Sequence, residues 1–370
     1  MKARFSYFKQ MLATVSLALI SLPALANHLV GMDLFYTWVS GNTYKITLIA
    51  YGDCGCTGCA FSALPSASPE VYIYNGNTYM ATIHLAIEAP TTGVEVTPVC
   101  PADAALTQCT NPAFAIPGIK KFVYSNVYTV SGTSAYWRFL FTGQLGSSIA
   151  GRAVSITNIS ATPLTYTQLI DTLNNTVTHN SSPTLTNVPT PFFCLDNNDN
   201  YNPGAIDPDG DSLMFYLVPG MAGTTTSAPG TAVTYLAGYS ATNPLAVTTM
   251  SFDQHTGQIA FHPNLLQRSL VVYNIQEYHA GVFRGTSQRE MTFLVQTCTN
   301  IPPTGQLNSA TAGVIDDSTH FHICQNSGPF SIYMNPTEAD TTNNITVTAT
   351  GLPTGLTFTT TGNGTRHPHS

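Results

Sequence analysis

Charged side chains are scarce in this sequence. Only 8% of its 370 residues are Asp, Glu, Lys or Arg, against roughly 25% in an ordinary soluble domain. Of these, 12 are basic and 19 acidic, a formal charge of −7. A surface so poor in Lys and Arg excludes nucleic acid as a partner, because phosphate recognition needs a basic face. Amphipathic helical periodicity is also missing; residues 164–173 come nearest to it, and weakly. So are the local signatures of catalysis. There is no Gly-x-Ser-x-Gly elbow, no His-Glu-x-x-His, no P-loop and no dinucleotide fingerprint. Carboxylate pairs that cleave glycosides are assembled by a fold rather than by spacing, so the sequence leaves them open. Beyond the first 26 residues no apolar run is long enough to cross a bilayer.

Those first residues form an export signal. Lys2, Arg4 and Lys9 precede an apolar run over 11–22, and Ala24-Leu25-Ala26 supplies small residues for cleavage before Asn27. The apolar run is short for a membrane anchor. Without the three basic residues of the leader, 9 basic side chains face 19 acidic ones, a charge of −10. The mature chain is therefore expected outside the cell or on its outer surface, with no transmembrane span. Its apolar content of 43% is mixed with Thr, Asn, Ser, Gly and Pro. This composition suits β-sandwiches with hydroxyl-rich outer faces.

Apolar–polar alternation recurs in short runs. Residues 34–39 and 44–51 flank Ser40-Gly41-Asn42, and 71–74 and 79–85 flank Asn75-Gly76-Asn77, two hairpin signals. Further strands are predicted over 121–130, 135–142 and 154–159. An Asn/Ser/Thr/Pro-rich stretch at 180–191 marks a boundary. A second set of strands follows at 213–218, 250–252, 258–261, 270–277 and 290–296, with a turn over 279–286. The expected organisation is thus all-β, in tandem Ig-like or cadherin-like sandwiches: a signal peptide at 1–26, a cysteine-bearing domain at 27–182, a second sandwich at 183–299, and the start of a third, truncated domain at 300–370. Tyr72, Tyr74 and Tyr79 either face the first core or form a sugar-stacking platform.

Eight cysteines behind an export signal are expected in disulfides. Cys54, Cys56 and Cys59 are read as disulfide partners of Cys100 and Cys109 rather than as a thiolate metal site, with one of the five left over. Cys194 and Cys298 flank the second domain and suit a bridge between its ends; Cys324 then has no partner within the chain. Alternate residues His320 and His322 are ascribed to a half-buried strand rather than to a metal.

The most distinctive stretch is Asp207-Pro208-Asp209-Gly210-Asp211-Ser212-Leu213. Three carboxylates at alternate positions repel one another unless a cation lies between them. Hard oxygen donors suit calcium, and Pro and Gly bend the backbone so that the side chains converge. An EF-hand is excluded, since Ser212 stands where its loop needs Gly and Val218 where it needs the bidentate Glu. What remains is a calcium-binding turn that opens a β-strand. Asp196-Asn197-Asn198-Asp199-Asn200 either contributes oxygens nearby or is a polar loop. Taken alone, Asp253-Gln254-His255-Thr256-Gly257 is a structural turn. Glu277, at the end of an apolar strand, either reaches a calcium site or lies at the surface, and the surface is the preferred expectation.

Tyr201-Asn202-Pro203-Gly204-Ala205, the acidic turn with Ser212-Leu213, residues 238–245, and Phe252-Asp253 with Thr256-Gly257 together carry a resemblance. So do His28-Leu29-Val30-Gly31, residues 41–48, Asp53-Cys54 and residues 155–159. Across 28–297 the chain resembles large secreted surface proteins of Bacteroidota, of the gliding-motility-associated or PKD-domain type. The second domain by itself is similar to cadherin-like Ig-type domains. That likeness implies calcium ligation by Asp207 and Asp209, with Asp211 a further candidate and Asp253 in a companion turn. Two departures stand out. No type IX sorting domain follows, which suggests a truncated reading frame or a fragment, and residues 141–152 lack the cysteine common in the family. The function expected is non-enzymatic: a calcium-stabilised structural or adhesive surface protein that meets matrix, glycans or other surface proteins. The alternative is a carbohydrate-binding or carbohydrate-active extracellular protein.

Overall fold

A computed structural model describes residues 26–56, 60–99, 101–146, 149–152, 156–160, 166–189, 192–223 and 230–298, together with 303, 305, 307–316, 321–324, 328–338, 343–349 and 355–365 of the remainder. Residues 1–25, all but the last of the expected signal peptide, lie outside them, as do Cys59, Cys100 and His320. The fold is all-β. Among the described residues the only helical elements are two short 3₁₀ segments, Ala60–Ser66 and Pro101–Leu106. None of the described helices is long and apolar enough to cross a membrane.

In the N-terminal half, β1 (Ala26–Ser40) and β2 (Thr43–Asp53) form a long hairpin, and β5 (Ile119–Thr129) pairs along the whole of β2. The second hairpin joins β3 (Glu70–Asn75) to β4 (Thr78–His84). Both expected turns are present. Gly41 and Gly76 have φ of +50° and +59°, the left-handed backbone that tight hairpin turns demand. β6 (Trp137–Phe141) lies beside β3, β7 (Ile149–Arg152) runs parallel to the start of β1, and β8 (Tyr166–Leu173) pairs with β6. The 164–173 stretch, the nearest approach to a helix in the sequence, is therefore mostly strand. Leu169, Asp171 and Leu173 all point inward at period two, and cross-strand pairing overrides the weak helical pattern. Of the predicted 154–159 strand, residues 153–155 lie outside the described residues and 156–160 form only an isolated bridge, Ile159 to Tyr235.

Two layers close over the first core. Tyr36 from β1 and Phe139 from β6 meet across it at 5.4 Å, among Ile46, Leu48, Ile73 and Phe122. The second core has the same two-layer form. On one side lie β11 (Ser212–Leu217), β14 (Gln267–His279) and β15 (Val282–Gln296). On the other, β13 (Ile259–Pro263) runs between β10 (Asp199–Tyr201) and β12 (Val247–Phe252). Phe261 and Phe293 pack across the gap at 5.6 Å, and Tyr201 meets Phe293 edge-on at 5.4 Å. Fully burying one such ring contributes about 1.5–3 kcal/mol. β9 (Phe192–Cys194) adds a parallel strand to β15, and Cys194 is bonded to Cys298. The second observed bridge is Cys54–Cys109, and Cys56 is oxidised as well. Cys324 lies exposed outside any disulfide.

The expected turn over 279–286 shrinks to Ala280-Gly281, both with left-handed φ (+48° and +81°), and β14 and β15 extend almost to it. The polar run Arg284 to Gln288 conceals a paired strand, because Arg284, Thr286 and Gln288 bond to residues 170–179 in the first half of the chain. Beyond 303 the pairings are short: Leu307–Ala310 with Ile332–Met334, and Val314–Ile315 with Phe321–His322. The hydrophobic clusters formed by the described residues take nothing from this tail.

The two cores share one sheet. Its strand order is β11-β14-β15-β1-β7-β8-β6-β3-β4. β1 and β8 precede the boundary expected near 182, yet both pair with β15, which follows it. Asp33 of β1 stands directly opposite Arg289 of β15. The Arg289 Nε and Nη2 donate to Asp33 Oδ1 and Oδ2 at 2.6 and 2.8 Å, while Nη1 donates to the Asn187 carbonyl and the Tyr201 hydroxyl at 2.6 and 2.8 Å. Tyr51 donates to Asp33 at 3.2 Å. Asp33, Tyr51, Tyr201 and Arg289 are all buried. A second two-point pair, Arg152 with Glu290 at 2.7 and 2.5 Å, lies on the adjacent β15 residue. Near them sits an acid with no cation. Asp171 is fully buried; its Oδ1 accepts the Gln288 N–H at 3.0 Å and its Oδ2 has no partner. Burial pushes its carboxyl well above the ordinary range, the Gln288 N–H opposes this, and Glu277 and Asp33 add repulsion.

Removing one member of a buried ion pair leaves the other charge uncompensated. Asp33→Ala is therefore expected to lower unfolding stability by about 3–5 kcal/mol, measured by denaturant titration. Asp171 acts in the opposite direction. Its folded-state pKa is raised, so the folded chain holds the proton more tightly than the unfolded one. Its penalty is absent below the unfolded carboxylate pKa of about 4 and grows as pH rises toward the folded value. Asp171→Asn, which keeps the Gln288 contact, is expected to gain about 1–3 kcal/mol at pH 7.5 and nothing near pH 4. An unchanged pH dependence in melts across that range contradicts the assignment.

Candidate functional site

The acidic turn sits at the start of β11, where the chain passes over the seam between the two cores. Asp207 organises it. Its Oδ1 accepts the N–H groups of Asp209 and Asp211, both at 2.9 Å, and Gly210 takes a φ of +78°. One carboxylate oxygen thus fixes the backbone, the usual behaviour of Asp in a turn. The other, Oδ2, is buried without a partner. Burial raises the Asp207 carboxyl, the two N–H contacts lower it, and the charges of Asp211 and Asp209 raise it again.

The three aspartates diverge in their contacts. Asp209 is exposed, and its Oδ2 accepts the Ser181 N–H at 2.6 Å. Asp211 is buried, and its Oδ1 lies 2.6 Å from His279 Nδ1. Asp253 is the fourth residue expected at a calcium site. Its side chain is 53% exposed, and its contacts stay within its own turn, to His255 and Thr256. The Asp196–Asn200 stretch likewise turns on itself and toward His262, through Asn197 to Asp199 and Asn198 to His262. Neither group makes a contact with the 207–211 turn among the interactions of the described residues.

Two other residues do approach it. Glu277 is not at the surface as its position in the sequence suggested; it is 0% exposed. The alternation of β14 places it on the face of Val271, Tyr273 and Ile275, which is the core face. Its Oε2 accepts Asn180 Nδ2 at 2.6 Å, and its Oε1 has no partner. Burial pushes the Glu277 carboxyl well up; the Asn180 contact lowers it, and Asp207, Asp211 and Asp209 repel it further. Asn180 is also fully buried. Its Nδ2 donates a second bond to the Tyr36 hydroxyl at 3.0 Å, and its Oδ1 has no partner. The carboxylate of Glu277 dictates this orientation, because a flipped amide would set oxygen against oxygen.

Asn180 belongs to a strap that follows β8. Ser182 exchanges hydrogen bonds with the Tyr36 backbone of β1 at 2.7–3.0 Å, Ser181 Oγ accepts the Trp38 N–H at 3.1 Å, and the His179 ring stacks on Trp38 at 3.8 Å. Arg284 secures the other side by donating to the carbonyls of Thr178 and His179. In sequence this strap reads as linker. Nothing in its composition marks Asn180, whose partner Glu277 is 97 residues away.

No three carboxylate, imidazole or thiol groups among the described residues converge as a ready metal site. The oxygens offered by these residues are of mixed type. Three of them, Asp207 Oδ2, Glu277 Oε1 and Asn180 Oδ1, are buried and unpartnered. Calcium accepts both carboxylate and amide oxygens, so the donor set fits that ion. The aromatic platform is smaller than its sequence allows. Tyr72 and Tyr74 lie on the face opposite the first core, each only 8% exposed, against Leu140. Tyr79 is 53% exposed and meets Tyr74 edge-on at 5.8 Å, with Arg138 over the other side of the cluster at 5.4 Å from the Tyr74 ring.

No family model matches the chain, and no curated protein matches it. Among solved structures it has a weak similarity to the titin Ig tandem domains A164-A165, at 8% identity, covering 72% of this chain and 99% of that one with a TM-score of 0.17. A second is the I-band fragment I67-I69 from titin, at 9% identity, 83% and 93% coverage and a TM-score of 0.16.

Proposed function

We propose that this chain is a non-enzymatic, exported surface or matrix protein with a structural or adhesive role, and that calcium at the Asp207 turn stiffens its second core. The observation that carries this reading is the shared sheet. A chain whose two sandwich cores are joined through β1 and β15, with buried two-point ion pairs at the joint, is built to hold a fixed shape. Oxidised Cys54–Cys109 and Cys194–Cys298 suit an environment outside the reducing cytosol. The likeness of residues 28–297 to secreted surface proteins of Bacteroidota agrees with it. Partners would be matrix, glycans or other surface proteins. Asp207 and Asp209 are the proposed primary ligands, with Asp211 beside them; Asp253 is the least favoured, since its carboxylate serves its own turn.

A second reading is binding of a carbohydrate, favoured by one feature, the exposed Tyr79 ring on its bed of Tyr72 and Tyr74. Loss of glycan-array signal in Tyr79→Ala would support that reading, and robust turnover in a glycoside-hydrolase screen would overturn the non-enzymatic one.

Calcium is expected to raise the melting temperature of the full chain, and chelator to reverse the rise. At a concentration ten times Kd the gain is about 1.4 kcal/mol, or a shift of roughly 3–6 °C at 2–4 °C per kcal/mol. Extracellular calcium modules work at Kd of about 10⁻⁴–10⁻³ M, so the titration runs into the millimolar range. An identical melting temperature in calcium and in chelator overturns the calcium assignment.

A further inference from the structure

We infer that the cation site is not the acidic turn alone but a corner closed by Asn180 and Glu277, so that one calcium-class ion fastens three separate segments: the 180–182 strap, the Asp207 turn and the end of β14. This inference rests on the calcium reading above and extends it to residues and a consequence that the turn by itself does not contain.

Unsatisfied oxygen is the starting point. A buried carboxylate oxygen without a donor is costly, and proteins leave few of them. Here two carboxylates, Asp207 and Glu277, each leave one oxygen bare, and the Asn180 amide oxygen is bare as well. Glu277 carries the most weight. It is fully buried and makes a single hydrogen bond; it pairs with Leu213, two residues past Asp211, in the β11–β14 ladder, and its partner Asn180 precedes Ser181, whose N–H donates to Asp209. Among the described residues no cation is paired with it. Of the other buried cations, Arg289 and Arg152 are committed to Asp33 and Glu290, and Arg284 donates to Thr178 and to the His179 carbonyl. His279 faces Asp211 from the exposed end of β14. A divalent ion supplies the missing positive charge and uses the three bare oxygens at once.

The donor types also select the ion. Carboxylate and amide oxygens are hard ligands, and calcium tolerates the irregular geometry of a site drawn from three segments, whereas magnesium demands near-octahedral order. No nitrogen or sulfur ligand is among the bare atoms, which disfavours zinc.

What the corner adds is a connection. The strap is hydrogen-bonded to β1 through Ser181 and Ser182, so it moves with the first core. Asp207 lies in the turn that opens β11 and Glu277 on β14, both elements of the second. The strap meets the second half of the chain here through Ser181 N–H to Asp209 and Asn180 to Glu277, with Arg284 on its outer side. Binding at the corner makes the strap a ligand-bearing part of the second core. Calcium then controls how firmly the two cores are coupled, as well as how stable the turn is.

The test uses the full chain, with calcium chloride as the probe. Calorimetric titration and melts with and without chelator are run on wild type, Glu277→Gln and Asp207→Asn, and amide exchange is followed over residues 178–184. Glu277→Gln keeps an acceptor for Asn180 and removes the buried charge, so it is expected to melt no lower than wild type in chelator. It should also lose calcium affinity by about tenfold or more. Calcium should slow exchange in the strap of wild type and leave it unchanged in Glu277→Gln. If Glu277→Gln binds calcium as wild type does, the corner is overturned while the turn-only reading stands, with Asp207→Asn then the variant that loses binding. Binding with no change of strap exchange in wild type overturns the coupling. If wild type itself shows no calcium heat and no melting shift, the calcium reading fails and the corner with it.

Discussion

The contact between Asp33 and Arg289 is the constraint around which the rest of the molecule is arranged. It is a buried pair in which every donor of the fork that faces the seam has a partner: both Asp33 oxygens, the Asn187 carbonyl and the Tyr201 hydroxyl. Burying such a pair brings little net stability by itself. What it fixes is position. Arg289 fits only if β1 lies beside β15 in one register, since a slip of one residue would turn the guanidinium into the opposite face. That register sets where β1 ends, where the strap can bond to Tyr36 and Trp38, and therefore where Asn180 meets Glu277.

Polar groups at the seam fall into two kinds. Arg152–Glu290 and Asp33–Arg289 are compensated acids. Asp171 and Glu277 are not, and each keeps a bare oxygen. With charged residues so rare in the sequence, it matters that several of them are placed together in the least hydrated region of the fold. Rather than dissolving the surface, the charges of this chain hold its two cores to each other. The solubility of the exterior is left to Thr, Ser and Asn.

Much of this was legible in the sequence, and the illegible part has a common physical cause. Strands and hairpins follow from local information: alternation in 44–51 and 71–74, glycine where a turn needs positive φ. Cys194 and Cys298 could be paired because they bracket a unit. Asp207 announced itself by spacing. Glu277 was open to a stricter use of the same alternation, since Val271, Tyr273 and Ile275 fix its face, but a lone carboxylate suggests the surface by habit. Asn180 and Arg289 were beyond local reading. Their roles depend on partners 97 and 256 residues away. Residues 284–286 read as part of a turn for the same reason: their partners lie on β8 and the strap.

The pairing of the first strand with the last long one has a consequence for the order in which the chain can fold. β1 is made before its partner over Gly31–Leu34, which follows some 256 residues later, and the ladder there closes only when β15 arrives. Contacts of such separation are reached slowly. Until then one edge of β1 stays open, an adhesive template for any other strand nearby. The hairpin with β2 protects the opposite edge early, so the hazard is confined to the short stretch that Asp33 occupies. A charged residue is a poor neighbour for a wrong partner. The aspartate that later anchors Arg289 thus serves first as a guard against mispairing on the unfinished edge.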